Sequence, residues 1–146
     1  MSELRLRRAR SADIPAMSAI RLSVRENVLS DPARVTLQMY EDYLEKDGRG
    51  WVAEVDGAVA AFCYADRHDA SIWALFVSPG MEGRGLGKAL LALAVDWLFE
   101  LGHAHVRLGT TPRTRADRFY QAQGWTRMPD QGAEAEFVLA RRDHIR

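Results

Sequence analysis

With 146 residues the chain has one domain's worth of sequence, expected over 1–146, and enough to bury a sizeable core. Its 20 basic and 20 acidic residues cancel, which argues against broad attraction to nucleic acid or to an acidic membrane. The single cysteine excludes an internal disulfide, and no apolar run is long enough to span a bilayer. The start, M-S-E-L-R-L-R-R, carries charges where a secretion signal would be apolar, so the cytoplasm is the expected compartment.

Leu4-Arg5-Leu6-Arg7 alternates apolar and charged residues and predicts a half-buried first strand with its arginines on the solvated face. Ser11 or Asp13 caps a first helix, with Pro15 in its first turn and Ile14, Met17, Ile20, Leu22 and Val24 on its apolar side. A second helix is predicted from Val35 to Leu44, with Leu37, Tyr40 and Leu44 at helical spacing. Trp51 to Val55 and Val59 to Asp66 read as strands joined by Asp56-Gly57, the strongest hairpin signal in the chain. His68-Asp69 turns the chain into an apolar, β-branched and aromatic strand from Ile72 to Val77, completing an antiparallel meander.

Ser78-Pro79-Gly80 closes that strand, and from Lys88 the period becomes that of a long helix ending at Gly102. Val106 to Gly109 is the next strand. Reached through a helix, it is expected parallel to the fourth. A helix from Thr114 to Gln123, N-capped by Thr114, then leads to strands at Trp125 to Met128 and Glu136 to Ala140. The order β-α-α-β-β-β-α-β-α-β-β predicts an α/β architecture around one mixed sheet.

Between the fourth strand and the long helix, Gly83, Gly85 and Gly87 alternate. Glycines there let the main chain bend tightly and a ligand approach it closely. The helix they open has orphan N–H groups backed by the positive end of its dipole, so the turn reads as an anion site, with phosphate the usual anion. It is not a Walker A loop, because Glu82 stands at the first glycine position and Ala89 where a hydroxyl would hold magnesium. The dinucleotide spacing also fails, since Lys88 and Leu90 fall where its last glycine would be.

The segment V-S-P-G-M-E-G-R-G-L-G-K-A-L-L resembles the acyl-CoA binding segment of the GNAT superfamily of N-acyltransferases, with signature Q/R-x-x-G-x-G/A. The element order matches that family over nearly the whole chain. The resemblance implies a GNAT fold: one mixed, mostly antiparallel sheet, its fourth and fifth strands parallel and splayed, with helices on both faces. It implies acetyl-CoA as co-substrate, its pyrophosphate held by the amides of Glu82, Gly83, Arg84, Gly85, Leu86, Gly87 and Lys88, and its pantetheine arm paired with the backbone of Phe76 and Val77. Glu82 departs from the signature's Gln or Arg, and is expected to point to solvent. Arg113 stands where many relatives carry an Asn that contacts the pantetheine region.

R-A-D-R-F-Y-Q-A-Q-G-W resembles the family's A-x-x-x-Y-x-x-x-G-F segment, which makes Tyr120 the expected general acid for the coenzyme A sulfur. A free phenol with a pKa of ~10 suits that task, while a helix tyrosine packed on the sheet is the plainer alternative. The family's strand-four carboxylate is replaced by Trp73, so the base stays open among Glu26, Glu54, Asp66, His68 and Asp69, with a water relay or an amine that arrives already neutral needing none of them. Arg113, Arg115 and Arg118 reach cofactor phosphates or simply solvent, and Arg84 and Lys88, next to the turn, are the better candidates for the phosphates. His103 and His105 lack companions at ligand spacing, so no metal is expected, and one of them can sit at the negative end of the long helix.

The acceptor is expected to be a small-molecule or protein amine, walled by Arg25 to Ser30 and by the hairpin around Pro129 to Gly132, with Trp51, Tyr64 and Trp73 either lining it or packing in the core. No cysteine lies in the catalytic segments, so direct attack in a ternary complex is expected. A homodimer is compatible with the family. The alternative is a non-catalytic acyl-CoA sensor, suggested by Trp73 and Glu82.

Overall fold

A computed structural model describes residues 3–23, 37–129 and 134–141. In chain order it contains β1 (Leu4–Arg8), a 3-10 turn (Ser11–Asp13), α1 (Ile14–Ser23), α2 (Leu37–Glu45), β2 (Gly48–Val55), β3 (Ala58–Asp66) and β4 (Ser71–Val77). Then follow α3 (Leu86–Glu100), β5 (His105–Thr110), α4 (Arg115–Ala122), β6 (Thr126–Arg127) and β7 (Ala135–Ala140). The strands form one sheet of order β1-β2-β3-β4-β5-β7-β6. All pairings are antiparallel except β4 with β5.

The β2–β3 hairpin forms where Asp56-Gly57 places it. Both residues are left-handed, with φ of 52° and 85°, as a two-residue primed turn matching the strand twist requires. Between β3 and β4 the register slips, from Ala65 opposite Ile72 to Tyr64 opposite Ala74. Trp73 is therefore an extra residue, a bulge that bends β4.

The sheet separates two cores. On one face α1 and α2 bury Ile14, Met17, Ile20 and Leu44 against Val52, Phe62, Tyr64 and Ala74. On the other, α3 buries Leu86, Leu90, Leu91, Ala94, Val95, Trp97, Leu98 and Phe99, joined by Tyr120 of α4 and by Val106, Leu108 and Phe137. Each such large side chain contributes about 1.5–3 kcal/mol on leaving water. Gly102, at φ 103°, ends α3 as the left-handed residue expected there.

Three expectations need correction. Leu4 and Leu6 stay 49% and 37% exposed, on a strand at the edge of the sheet. Arg7 is not solvated. Its guanidinium makes paired 2.8 Å bonds to both oxygens of Asp13 and a further bond to Glu54, and holds the Asp13 carboxyl below its ordinary range. Leu22 is 55% exposed, so the buried stripe of α1 within the described residues is Ile14, Met17 and Ile20. Val24 and Val35 lie outside the described residues.

Candidate active site

β4 and β5 share one pair, Ser71 opposite Arg107, closed by the Arg107 amide donating to the Ala70 carbonyl at 3.0 Å. Beyond it the strands part. β4 stays paired with β3 as far as Val77, so among the described residues only its β5-facing edge lacks a strand partner. The bulge at Trp73 falls where the parting begins. Phe76 and Val77, half-buried, sit on the open edge, which leaves main-chain polar groups available to an extended ligand.

The glycine turn closes the wide end of this cleft. Ser78 donates to the Ala60 carbonyl at 2.8 Å and Met81 to the Ser78 carbonyl at 2.9 Å. Gly83 and Gly85 are left-handed, at φ 80° and 79°, and Gly85 is the N-cap of α3. The first engaged amide of the helix is Ala89, which donates to the Gly85 carbonyl at 3.1 Å. The amides of Arg84, Gly85, Leu86, Gly87 and Lys88 have no acceptor among the described residues. A Cβ added at Gly83 or Gly85 would meet nothing within 4 Å, so the approach to these amides is open. Gly87 is not left-handed, and a Cβ there would lie at ordinary contact distance, 3.7 Å from Val77 Cγ2 and 3.9 Å from Phe119 Cζ. The helix begins at Leu86, two positions before the sequence period changes, because Gly85 already supplies its capping carbonyl.

Glu82 is exposed, as expected, yet it has partners. One carboxylate oxygen accepts from the Gly80 amide at 2.7 Å and the other lies 3.5 Å from the Arg115 guanidinium. Those bonds tie the turn to α4. Arg84 and Lys88 are exposed beside the open amides, and Arg113 is exposed at the start of the α4 turn.

Thr114 caps α4 as the sequence indicates, accepting from the Asp117 amide at 3.3 Å. Asp117 carries more than the sequence suggests. Only 4% exposed, its carboxylate accepts from the Arg113 amide at 2.8 Å, from Gln121 at 2.9 Å, and from Arg127 at 3.2 and 3.3 Å. The Arg113 amide, aided by Arg127 and Gln121, holds the Asp117 carboxyl below its usual range. Arg113 itself is a non-glycine residue at φ 61°.

Tyr120 points from α4 into the core on the α3 side of the sheet, 6% exposed, its ring 5.6 Å from Phe137, 5.8 Å from Trp125 and 5.2 Å from Phe119. The ring is packed, as the plainer reading has it, while the hydroxyl has no hydrogen-bond partner among the described residues. Burial, with a smaller contribution from Cys63, pushes its pKa up. Such a phenol stays protonated throughout the neutral range, the state in which an acid must wait. The buried Cys63 thiol is pushed up by the same desolvation and is a poor nucleophile.

The carboxylates considered as bases have structural employment. Glu54 binds Arg7, and one Asp66 oxygen caps the turn by accepting from the His68 and Asp69 amides at 2.8 and 3.1 Å. His68 faces Asp47 at 3.3 Å, and Asp69 lies 3.7 Å from Arg107. Asp66, His68 and Asp69 lie around the β3–β4 turn, at the closed end of the β4–β5 seam. Glu26, the rest of Arg25 to Ser30, and 130–132 lie outside the described residues.

Trp51 and Tyr64 are core, against Trp97 and against Phe62 and Trp73, while Trp73 remains half-buried near the cleft. His103 contacts the Arg67 carbonyl at 2.9 Å, donating through its ring nitrogen, rather than serving the helix end. No metal-ligand group of three or more His, Cys, Asp or Glu occurs among the described residues. One residue was missed altogether: the Glu134 carboxylate lies over Gly109 of β5, visible only once β5 and β7 are paired.

A parallel seam that parts and is closed by an amide-lined turn is a site suited to an extended, anionic ligand, and the comparisons narrow it. The Acetyltransferase (GNAT) family profile matches residues 15–125, and the chain belongs to that family. It is 33% identical over 103 residues to an uncharacterized N-acetyltransferase of Archaeoglobus fulgidus, covering 63% of this chain and 69% of that one. It is 42% identical over 86 residues to the mycothiol acetyltransferase of Sanguibacter keddieii, covering 52% of this chain and spanning about a quarter, 27%, of that enzyme. The PaiA N-acetyltransferase of Thermoplasma acidophilum, solved with coenzyme A, superposes with a TM-score of 0.80 at 14% identity, over 94% of this chain and 99% of that one. The fold is the GNAT fold, with parallel β4 and β5 and helices on both faces.

Proposed function

We propose that the chain is an N-acetyltransferase that moves an acetyl group from acetyl-CoA to a primary amine by direct attack. One observation carries this reading: five successive amides, Arg84 to Lys88, stand without acceptors among the described residues at the wide end of a cleft between strands. A diphosphate satisfies them at once, using the helix dipole as well as the hydrogen bonds. Acetyl-CoA as co-substrate would set its diphosphate there; the Thermoplasma neighbour was itself solved in complex with coenzyme A. Lys88 and Arg84 add positive charge at the rim, and Arg113 borders the cleft from α4.

The open edge of β4 gives the pantetheine arm its partners, with the main chain of Phe76 and Val77 oriented towards the thioester. Tyr120 is the general acid, in reach of the sulfur as it leaves. Its dry surroundings make a phenolate costly, so it yields its proton only against a fully developed thiolate in the same cleft. Cys63, buried and held as a thiol, supports a route without an acyl-enzyme.

The test is thiol release from acetyl-CoA across a panel of amines, with coenzyme A affinity measured in parallel by calorimetry. Amine-dependent release by the native chain, greatly reduced in Tyr120→Phe at unchanged affinity, is the expected result. Tight coenzyme A binding with no release by any amine would leave a sensor of the same fold.

A further inference from the structure

The proposed reaction lacks a group to accept the proton of the incoming ammonium, and the geometry points to Glu134 as that base; the inference rests on the transferase reading above. Along β7, Ala135, Phe137 and Leu139 enter the core under α3 and α4, so Glu134, Glu136 and Val138 face the opposite side of the sheet. Along β5, Val106 and Leu108 enter that same core, which puts Arg107 and Gly109 on the opposite side too. Tyr120 belongs to the α3 and α4 side. The acid and Glu134 thus belong to opposite faces of the open strand seam.

Gly109 lies beyond the last β4–β5 pair, in the part of β5 that lines the opening. Its backbone has no need of glycine, since its φ is not left-handed. A Cβ at this position would stand 3.1 Å from Oε2, 3.3 Å from Cδ and 3.5 Å from Oε1, so a side chain there would press on the Glu134 carboxylate and shift it by a few tenths of an ångström. The glycine makes room for a carboxylate to lie against the strand. Glu134 has no hydrogen bond or ion pair among the described residues, unlike Glu54, Asp66 and Asp69. An exposed carboxylate without internal work, folded over the wall of the cleft, is placed to meet a cationic amine.

The proton accounting closes. Glu134 takes one proton from the ammonium and passes it to solvent. The freed nitrogen lone pair forms the C–N bond to the thioester carbon, the C–S bond breaks with both electrons on sulfur, and the Tyr120 hydroxyl protonates that sulfur. The proton lost from nitrogen as the amide forms restores Tyr120. The substrate class is accordingly an amine that arrives charged, as most alkylamines do.

Glu134→Gln keeps the shape and removes the basicity. Thiol release at neutral pH is compared with n-butylamine, which is protonated, and hydroxylamine, which is not, alongside coenzyme A affinity and thermal midpoint. A loss of about 10²-fold or more with n-butylamine, with hydroxylamine turnover, coenzyme A affinity and midpoint unchanged, is expected of a base. Equal losses with both nucleophiles, or none with either, would overturn the assignment. If the native chain binds acetyl-CoA but turns over neither amine, the transferase reading is what fails. Glu134 is then judged by calorimetry of n-butylamine on the coenzyme A complex: binding lost in Glu134→Gln supports its ammonium contact, and binding that is unchanged, or absent from the native chain, overturns it.

Discussion

Two turns deliver helices to the same cleft, and they treat left-handed backbone in opposite ways. Before α3, Gly83 and Gly85 adopt positive φ at no steric cost, and the amides that follow remain open. Before α4, Arg113 adopts positive φ with a side chain, a strain of order 1–3 kcal/mol, and its amide is taken by the buried Asp117. The first turn keeps its donors for a ligand. The second spends its donor internally, fixing the path of the chain into the helix that carries Tyr120. One is a binding surface and the other a bracket.

Several changes should break this contrast. The largest effect belongs to the group the bracket positions: Tyr120→Phe should lower kcat by about 10²-fold or more while coenzyme A affinity holds, as calorimetry and thiol release would register. Next is Gly85→Val, which forces a β-branched residue to φ 79°. It should cost about 1–3 kcal/mol of coenzyme A affinity, or of stability if the loop rearranges, and calorimetry with thermal unfolding separates the two.

Asp117→Asn leaves the binding turn untouched and should lower unfolding free energy by about 1–3 kcal/mol in urea, because charged bonds to Arg127 and to the Arg113 amide are weakened. Its pH dependence has a definite sign. The Asp117 carboxyl titrates lower folded than unfolded, so its contribution is present above the unfolded value of about 4 and fades as pH falls below it. The Asn variant should therefore lose less stability on acidification than the native chain. Smallest is Leu22→Ser, at an exposed position, expected within about 0.5 kcal/mol in the same assay.

The contrast also explains what could be read from the sequence. Period and turn chemistry are local, so Asp56-Gly57, the glycine turn, the Thr114 cap and the Gly102 stop all appear in the structure near their expected places. Tyr120 and the open amides lie within contiguous motifs. Asp117 stands three residues after the Thr114 cap, but its hold on Arg127 depends on where β6 folds back. Arg7 looked solvated because alternation says nothing about which residues reach across from Asp13 and Glu54. Glu134 was hidden for the same reason, since its neighbour Gly109 comes from another strand. The bulge at Trp73 is a matter of register, which the fourth strand's composition does not encode.

The central claim is that the amides after Gly83 await a diphosphate, and a coenzyme A titration followed by amide proton–nitrogen NMR tests it directly. The resonances of Arg84 to Lys88 should move together and saturate at one equivalent, with the Arg113 amide remaining hydrogen-bonded to Asp117. Saturable binding that leaves Arg84 to Lys88 where they were would contradict the account.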